Sequence, residues 1–185
     1  MEIELKSTVG DTLRLVRMRG REALATPFEF EVDLASDAAN VGTRELVGTT
    51  LSIALEAAGA AREFNGIVAR VSLVDHGTDE SGTHRIVYRA IVRPRVWLLT
   101  RGAHCRFFHD RSVLEIVGLL LDDYSVDYES RCTASYPKLE HCAQYRETDF
   151  DFFARLLEHE GIYYYFEHRG GKDILVLADA PSAHA

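Results

Sequence analysis

The sequence predicts an α+β fold. Residues 1–100 are expected to form an antiparallel β-barrel or strongly curved sheet, and residues 101–179 an α+β subdomain. Apolar and acidic residues alternate strictly over Phe28–Leu34, as in a strand with one face in a core. Several short apolar runs separated by turn-forming residues follow it. Residues 144–179 then combine a helical apolar stripe with a hairpin signal. Residues 180–185 are expected to be a tail or linker.

The first half contains two further strand patterns. Leu51, Ile53 and Leu55 alternate with more polar residues, and Ala57–Ala60 is expected to connect them to the next strand. Within the run Phe64–Val71, the dipeptide Asn65-Gly66 predicts either a tight hairpin turn or a bulge.

The first half is predicted to end in a loop, a strand and a turn. Asp75–Thr83 is polar and lacks a hydrophobic anchor, which indicates an exposed loop. His84–Val92 is predicted to be a strand. Pro94 is expected to end its ladder, with Trp97 as the core anchor of the segment that leaves the sheet.

Two helices are predicted in the second half. The first is Ser112–Asp123, with a capping box from Ser112 and Glu115. Because this helix is apolar nearly all round, we expect it to be buried on two sides. A partner subunit could cover one of them. The second spans residues 148–160. Residues 124–143, which include Pro137, are expected to form a connector and an exposed strand.

The second helix leads into a hairpin. Thr148 and Asp151 predict another capping box, and the spacing of Phe150, Phe153, Ala154 and Leu157 predicts a buried helical stripe. Gly161 is expected to be the left-handed C-terminal cap. Strands Ile162–Glu167 and Ile174–Leu177 are then joined by Gly170-Gly171. The alternative, one continuous helix, is opposed by Gly161 and three consecutive tyrosines.

Composition excludes several classes of function. The net charge of −8, from 21 basic and 29 acidic residues, opposes non-specific nucleic-acid binding. The apolar runs are shorter than the roughly 18 residues that a membrane-spanning helix needs. The N-terminus does not resemble a signal peptide, so synthesis in the cytoplasm is expected. Cys105, Cys132 and Cys142 are odd in number and unevenly spaced, which indicates reduced thiols.

No catalytic, cofactor-binding or metal-binding residue is predicted. The acidic residues around the second helix are interpreted as helix-terminal charges rather than paired catalytic carboxylates; they are Glu147, Asp149, Asp151, Glu158 and Glu160. Two sets were weighed as metal ligands: His141 and Cys142 with Cys132, and His104 and Cys105 with His109. Neither has the spacing of a zinc site.

The stretch from Gln144 to His168, QYRETDFDFFARLLEHEGIYYYFEH, resembles the signature of VgrG proteins, the spikes of bacterial type VI secretion. The tail hub proteins of contractile phages are structural relatives of that family. The resemblance extends to Phe64-x-Gly66-x-Val68, to Tyr88–Leu99, and to the run from Phe107 to Ile116. It implies a barrel related to tail-tube subunits, and a structural role without cofactors or catalysis.

The resemblance also implies partners. Spikes of this family are homotrimers that cap a tube of hexameric rings made by the haemolysin-coregulated protein. They carry effectors or a tip protein and make transient contact with a target membrane as the machine exports them to the extracellular space or a target cell. Family members are normally several times longer, so the chain is expected to be a fragment or a reduced form, with further partners reached through C-terminal regions.

Six residues are candidates for an interface in such an assembly. Tyr163, Tyr164 and Tyr165 place rings on both faces of their strand, as either a core face plus a solvent-tolerant face or an aromatic interface patch. The remaining three candidates are the charged residues Arg146, Glu147 and Arg155. Exposed charges of this kind contribute little to stability, but they would matter more if, in an assembly such as the resemblance implies, they lay between subunits where water is excluded.

Two other functions remain as alternatives. One is a small hydrolase or metal-binding enzyme that uses the His, Cys and acidic residues. The other is a ligand-binding barrel, which requires a roomy apolar cavity in place of a packed core.

Overall fold

The computed structural model describes residues 2–7, 12–37, 41–57, 60–78 and 84–183. Their contacts divide them into two compact units. The first unit contains the described residues up to Glu22, Pro27–Pro94 and His168–Asp173, and the second contains Ala23–Thr26, Arg95–Glu167 and Ile174 onwards. The division predicted at residue 100 therefore differs from the observed break after Pro94, because the 3₁₀ turn Arg95–Arg101 belongs to the second unit.

The described residues form eleven strands and three helices. In chain order these are β1 (Glu2–Lys6), β2 (Arg14–Ala23), β3 (Thr26–Ser36), α1 (Thr43–Leu46), β4 (Thr50–Ala57), β5 (Ala60–Thr78), β6 (His84–Arg93), β7 (Ala103–Arg111), α2 (Val113–Asp123), β8 (Tyr128–Ser130), β9 (Leu139–Thr148), α3 (Asp149–Glu160), β10 (Tyr163–Arg169) and β11 (Lys172–Ala178). The sheets, in order of neighbouring strands, are β1-β4-β5-β6-β3-β2, β10-β11-β8 and β7-β9. Among these described residues no helix is both long and apolar enough to span a membrane.

The six-stranded sheet of the first unit curls strongly. Arg62 of β5 donates to the Glu22 carboxylate of β2 at 2.9 Å, although two strands separate β5 from β2 in the sheet. The rings of Phe30 and Phe64 also meet edge to face, with centroids 5.5 Å apart. A flat sheet does not bring these residues together, so the sheet is a curled half-barrel, as the predicted fold class required.

The alternation predicted for Phe28–Leu34 is confirmed in β3. Phe28, Phe30, Val32 and Leu34 are buried. The acidic residues between them face arginines of neighbouring strands: Glu29 pairs with Arg93, Glu31 with Arg19 and Arg89, and Asp33 with Arg89. The hydrogen bond from Arg89 lowers the pKa of Asp33 despite burial. One face of the strand is therefore core and the other is an ionic ladder.

Asn65-Gly66 is neither a turn nor the site of a bulge, because β5 continues through it. Asn65 is fully buried, and its side-chain amide donates to Glu63 and to the Lys172 carbonyl. A Cβ on Gly66 would lie 2.8 Å from the Arg93 carbonyl oxygen, so only glycine lets β6 approach this closely. The register irregularities of β5 fall further on, between Val68 and Arg70 and between Leu73 and Asp75.

The tip of the hairpin is built into the first unit through His168. Its Nδ1 accepts from the Asn65 backbone N–H at 2.9 Å, so the ring proton lies on Nε2, which donates to Glu22 at 2.9 Å. The ring lies 5.0 Å from that of Phe28 and 6.0 Å from that of Phe64. This imidazole is therefore part of the aromatic core of the first unit.

Two other predictions for the first half are corrected. Asp75–Thr78, expected in a loop, continue β5 and pair with β6, while residues 79–83 lie outside the described residues. The connection expected at Ala57–Ala60 also falls partly outside them. Trp97 is only half-buried beneath the Arg101 guanidinium, and the core anchors of the 3₁₀ turn are Val96 and Leu99.

The core of the second unit is formed by both long helices, the 3₁₀ turn and the hairpin strands. On α3, Phe153 and Leu157 of the predicted stripe are buried together with Phe152 and Leu156, whereas Phe150 and Ala154 are half-buried at its edge. On α2 the apolar surface is not wholly covered within the chain, because Leu119 is 40% exposed. Residues 124–143, expected to form a connector and an exposed strand, contain β8 and the start of β9. β8 pairs in parallel with β11.

The helix caps follow the sequence closely. Ser112 and Glu115 make the reciprocal capping box of α2. Thr148 caps α3 by accepting from the Asp151 N–H, but the Asp151 carboxylate accepts from the Thr148 hydroxyl, so the box is not reciprocal. Gly161, with φ of 71°, is the left-handed cap, and Gly170 and Gly171 both have positive φ in the turn.

Gly66→Ala is expected to lower the free energy of unfolding by about 1–3 kcal/mol. The added methyl group overpacks against the Arg93 carbonyl and the Val92 side chain, both 2.8 Å from the Cβ position. Urea unfolding monitored by circular dichroism measures the change. Gly77→Ala in the same strand is the control, because its Cβ meets nothing within 4 Å. Equal effects of the two substitutions would contradict the steric explanation.

Phe153→Ala is expected to cost about 3–5 kcal/mol of unfolding free energy, because the ring is completely buried among α2, α3 and the hairpin. Chemical denaturation of both proteins tests it, with half-buried Phe150→Ala as the comparison. A loss below about 1 kcal/mol would mean that the stripe is not the core of the unit.

Candidate interface residues

Arg146 occupies a bulge in the ribbon formed by β7 and β9. His104 pairs with Glu147 and Cys105 with Tyr145, so Arg146 is the extra residue on its strand. Its φ of 51° is unusual for a residue other than glycine. The guanidinium is exposed and lies over the Tyr145 ring, 5.2 Å from its centroid. The bulge thus directs an arginine and an aromatic ring together into solvent.

Glu147 and Arg155 pair with each other. Arg155 donates through Nη2 to Oε1 at 2.6 Å and through Nε to Oε2 at 3.2 Å. Its Nη2 also donates to the Ala143 carbonyl, and its guanidinium lies over the Phe152 ring. The hydrogen bond that Arg155 donates to Glu147 raises the pKa of Arg155. This bidentate pair joins α3 to β9.

The three tyrosines divide between core and surface. Tyr164 is 3% exposed, and its ring packs against Phe153 and Phe166 in the core of the second unit. Burial raises its pKa above the usual value. Tyr163 and Tyr165 lie on the other face of β10 and are half-buried. The core side of the three-tyrosine run is therefore Tyr164 alone.

Tyr163 and Tyr165 hold the C-terminal segment of the chain. Their hydroxyls donate to the carbonyls of Ala180 and Ala183, at 2.8 and 2.9 Å. Arg131 adds a hydrogen bond to the Tyr165 hydroxyl at 2.7 Å. The aromatic patch considered for a partner is thus occupied in part by residues 180–183, which the sequence analysis treated as a tail.

Asp179 fixes the beginning of this segment. Its carboxylate accepts hydrogen bonds from the backbone N–H groups of Thr133 and Ala134, from the Thr133 hydroxyl and from the Tyr136 hydroxyl. The two backbone bonds are the main reason that its pKa falls to about 2. The carboxylate therefore orders the connector between β8 and β9.

The role of Asp149 as a buried, hydrogen-bonded carboxylate is not predictable from the sequence. Asp149 was expected to interact with the helix dipole, but its side chain is fully buried and accepts hydrogen bonds from Tyr124, Gln144 and His104 at 2.6, 2.7 and 2.8 Å. Arg106 adds an ion pair at 3.3 Å. Burial alone would raise the pKa of this carboxyl group, but the hydrogen bonds outweigh it and lower the pKa. No local pattern indicates a partner 45 residues away.

The two sets of residues considered as metal ligands do not come together in the fold. His104 bonds to Asp149, whereas His109 meets His141 across the ribbon. Cys132 and Cys142 pack against the hydrophobic core, and burial raises the pKa of both thiols. Within the part of the chain that the structure describes, no group of three or more His, Cys, Asp or Glu side chains is placed to hold a metal ion.

One face of the ribbon is rich in exposed aromatic surface. Phe107 is 73% exposed and Tyr145 is 64% exposed. Tyr145 pairs with Cys105, which is two residues before Phe107 on β7, so the rings of Phe107 and Tyr145 project from the same face of the ribbon. The Arg146 guanidinium lies over the Tyr145 ring. Aromatic residues with arginine are enriched at protein interfaces.

Comparison with known proteins places the chain in a family. A family model described as the phage tail baseplate hub (GPD) matches residues 21–185. The chain belongs to this baseplate hub family. Hub-like spike proteins of Pseudomonas aeruginosa are similar over nearly its whole length: VgrG1a, a type VI secretion system spike protein, is 44% identical over 176 residues, and VgrG1b is 41% identical over 186 residues.

These relatives are much longer than the chain. The alignments cover 94% and 98% of it but 27% and 24% of VgrG1a and VgrG1b, so the hub chain spans about a quarter of their length. The Escherichia coli c3393 protein is a type VI secretion component with structural similarity to the bacteriophage T4 tail proteins gp27 and gp5. Its structure matches with a TM-score of 0.84 at 21% identity, over 100% of the hub chain and 51% of its own. The predicted hub-related fold is thereby confirmed.

Acid is expected to destabilise the chain partly through Asp179. Its pKa of about 2 when folded lies below the roughly 3.9 of an unfolded aspartate, so its stabilisation is complete above about pH 5 and is lost as the pH falls towards 2. Asp179→Asn should therefore reduce the dependence of unfolding free energy on pH in that range. Denaturant titrations at several pH values measure it.

The comparison variant is Asp122→Asn, which removes an exposed carboxylate from α2. It should leave the pH dependence close to that of the parent chain. If Asp179→Asn behaves in the same way as Asp122→Asn, the hydrogen-bonded carboxylate is not a source of the acid sensitivity.

Proposed function

We propose that this chain is the hub portion of a type VI secretion spike. The observation that carries the proposal is the 44% identity with the spike protein VgrG1a across 94% of the chain. The hub fold supports it, because a baseplate hub acts by connecting other parts of an assembly. The role is structural: contraction of the machine drives tube and spike through a target membrane with effectors attached.

The proposed assembly is a homotrimer that caps the hexameric tube of haemolysin-coregulated protein. Two barrels from each full-length subunit would match the six-fold symmetry of the tube. The chain would be made in the cytoplasm and exported by the machine itself. Effectors or a tip protein would bind through C-terminal regions of a longer spike polypeptide.

We place a contact between spike subunits at Phe107, Tyr145 and Arg146. Of the six interface candidates, Arg146 is the one whose guanidinium lies over an exposed ring, that of Tyr145, on the ribbon that also carries exposed Phe107. Glu147 and Arg155 would support it by fixing β9 to α3 through their ion pair. Tyr163 and Tyr165 would support the same unit by holding residues 180–183, and Tyr164 would contribute as core.

The occupant of this surface is proposed to be a second copy of the chain. VgrG1a and VgrG1b, which are similar to nearly the whole chain, are spike proteins, and the family resemblance implies three equal subunits. Aromatic residues and arginine contribute a large share of the binding free energy when a partner excludes water from them. The exposed rings and the guanidinium of the ribbon are groups of this kind. The net charge of −8 opposes a nucleic-acid partner.

An enzymatic role is not favoured by any specific observation. The acidic residue at the centre of the suspected cluster, Asp149, is buried and satisfied by four donors. Asp151 completes the first turn of α3 with Thr148. The described geometry uses both carboxylates to hold the fold.

The test is size-exclusion chromatography with light scattering on the chain mixed with tube protein from the same genome. We expect a complex of three copies of the chain with one hexameric ring, in which Phe107→Ser weakens association between copies at least tenfold. Separate monomer peaks for the two parent proteins would contradict a tube-docking face and a self-contact within residues 1–185.

The matched control is Leu24→Ser, which removes an exposed apolar side chain from outside the ribbon. It should leave the complex intact. Arg146→Gly provides a second variant, because glycine tolerates the positive φ of the bulge while the whole arginine side chain, including the guanidinium, is removed. If Phe107→Ser and Leu24→Ser have equal effects, the contact lies elsewhere.

A further inference from the structure

The ribbon carries two histidines that face each other directly. His109 on β7 and His141 on β9 are register partners. Their Nδ1 atoms are 2.9 Å apart, and the ring planes are nearly perpendicular. Both residues are exposed, and they stand on the same face of the ribbon as Phe107. By sequence position alone, they fall in two different candidate sets of metal ligands.

We propose that His109 and His141 form a binding site for a divalent transition-metal ion. Imidazole nitrogens suit Ni²⁺, Cu²⁺ and Zn²⁺ rather than Mg²⁺ or Ca²⁺, which take oxygen ligands. Two residues of a rigid antiparallel pair supply the two nitrogens, and water completes the coordination shell. The proposal does not rest on the proposed spike function.

The separation of the two nitrogens fits adjacent positions on a metal ion. With metal–nitrogen bonds of about 2.0–2.1 Å, nitrogens separated by the observed 2.9 Å subtend an angle of about 90° at the metal. That angle belongs to tetragonal and octahedral coordination, which Ni²⁺ and Cu²⁺ adopt with nitrogen and water ligands. Zn²⁺ in a tetrahedral site would require the rings to separate slightly.

The metal ion would replace the hydrogen bond between the two rings. In the metal-free neutral pair, one Nδ1 carries a proton and donates it to the Nδ1 of the other ring, 2.9 Å away. For both nitrogens to bind one ion, the proton of the donating ring moves to its own Nε2, with no net release from the neutral pair.

The neighbouring cysteines do not belong to this site. Cys142 follows His141 on the strand, so its side chain lies on the opposite face and packs against the core. Cys105 precedes His109 by four residues, roughly 13 Å along the strand. The ligands are therefore nitrogen and water, and the bound ion would join β7 to β9. Such binding stabilises the folded chain, and the stabilisation grows with the logarithm of the metal concentration above the dissociation constant.

The test uses Ni²⁺ alone, because thiols do not reduce it. Isothermal titration and thermal unfolding of the 185-residue chain should show one Ni²⁺ ion bound and a higher Tm in its presence. His109→Gln and His141→Gln should each weaken Ni²⁺ binding at least tenfold and abolish the Tm shift. Binding should also weaken in acid, because the coordinating imidazoles must be unprotonated.

His159→Gln is the control. His159 is an exposed histidine on α3 beside the carboxylate of Glu160, and no second histidine faces it in the described contacts. The variant should keep the binding and the Tm shift. Paramagnetic broadening by Ni²⁺ of the His109 and His141 ring signals in the unmodified chain gives a readout that needs no variant. Unchanged affinity in either variant, equal loss in His159→Gln, or broadening centred on other histidines would overturn the proposal.

Discussion

The buried carboxylate of Asp149 is the constraint on which the second unit depends. An ionised carboxylate without partners in a protein interior costs several kcal/mol, so the group is stable there only because donors surround it. Tyr124 supplies one from the end of α2, Gln144 one from β9, and His104 and Arg106 two from β7. Since Asp149 is the first residue of α3, the helix must begin where these elements meet.

The same constraint positions the candidate contact surface. With the start of α3 fixed against β9, Arg155 lies two turns later within reach of Glu147, and their bidentate pair holds the strand beside the helix. The bulge at Arg146 follows from the shifted register between His104 and Cys105. A buried polar network of this kind rigidifies the surface built on it. The exposed rings of the ribbon are therefore presented by a fixed backbone.

Features set by local periodicity were predictable, whereas those set by distant partners were not. The alternation of β3, the stripe of α3, the Ser112 cap and the Gly161 cap each depend on residues within a few positions. Asn65-Gly66 has the local chemistry of a turn, but β6 and Lys172 decide its conformation. The tyrosines suit either core or surface, and residues 180–183 return to cover Tyr163 and Tyr165. The pairing of His109 with His141 requires the ribbon register, which no spacing rule contains.

The position of His168 has a consequence for biosynthesis. The imidazole completes the ring cluster of Phe28, Phe30 and Phe64, although it follows each of them by more than a hundred residues in the sequence. A ribosome releases the N-terminal strands long before it releases this histidine. Until then, the nascent half-barrel lacks the acceptor of the Asn65 backbone N–H and the ring that packs on its phenylalanines. Such long-range closure slows folding and prolongs exposure to chaperones and proteases. The first unit is completed only when the tip of the hairpin, His168–Asp173, has been synthesised, because these residues follow its other strands in the sequence.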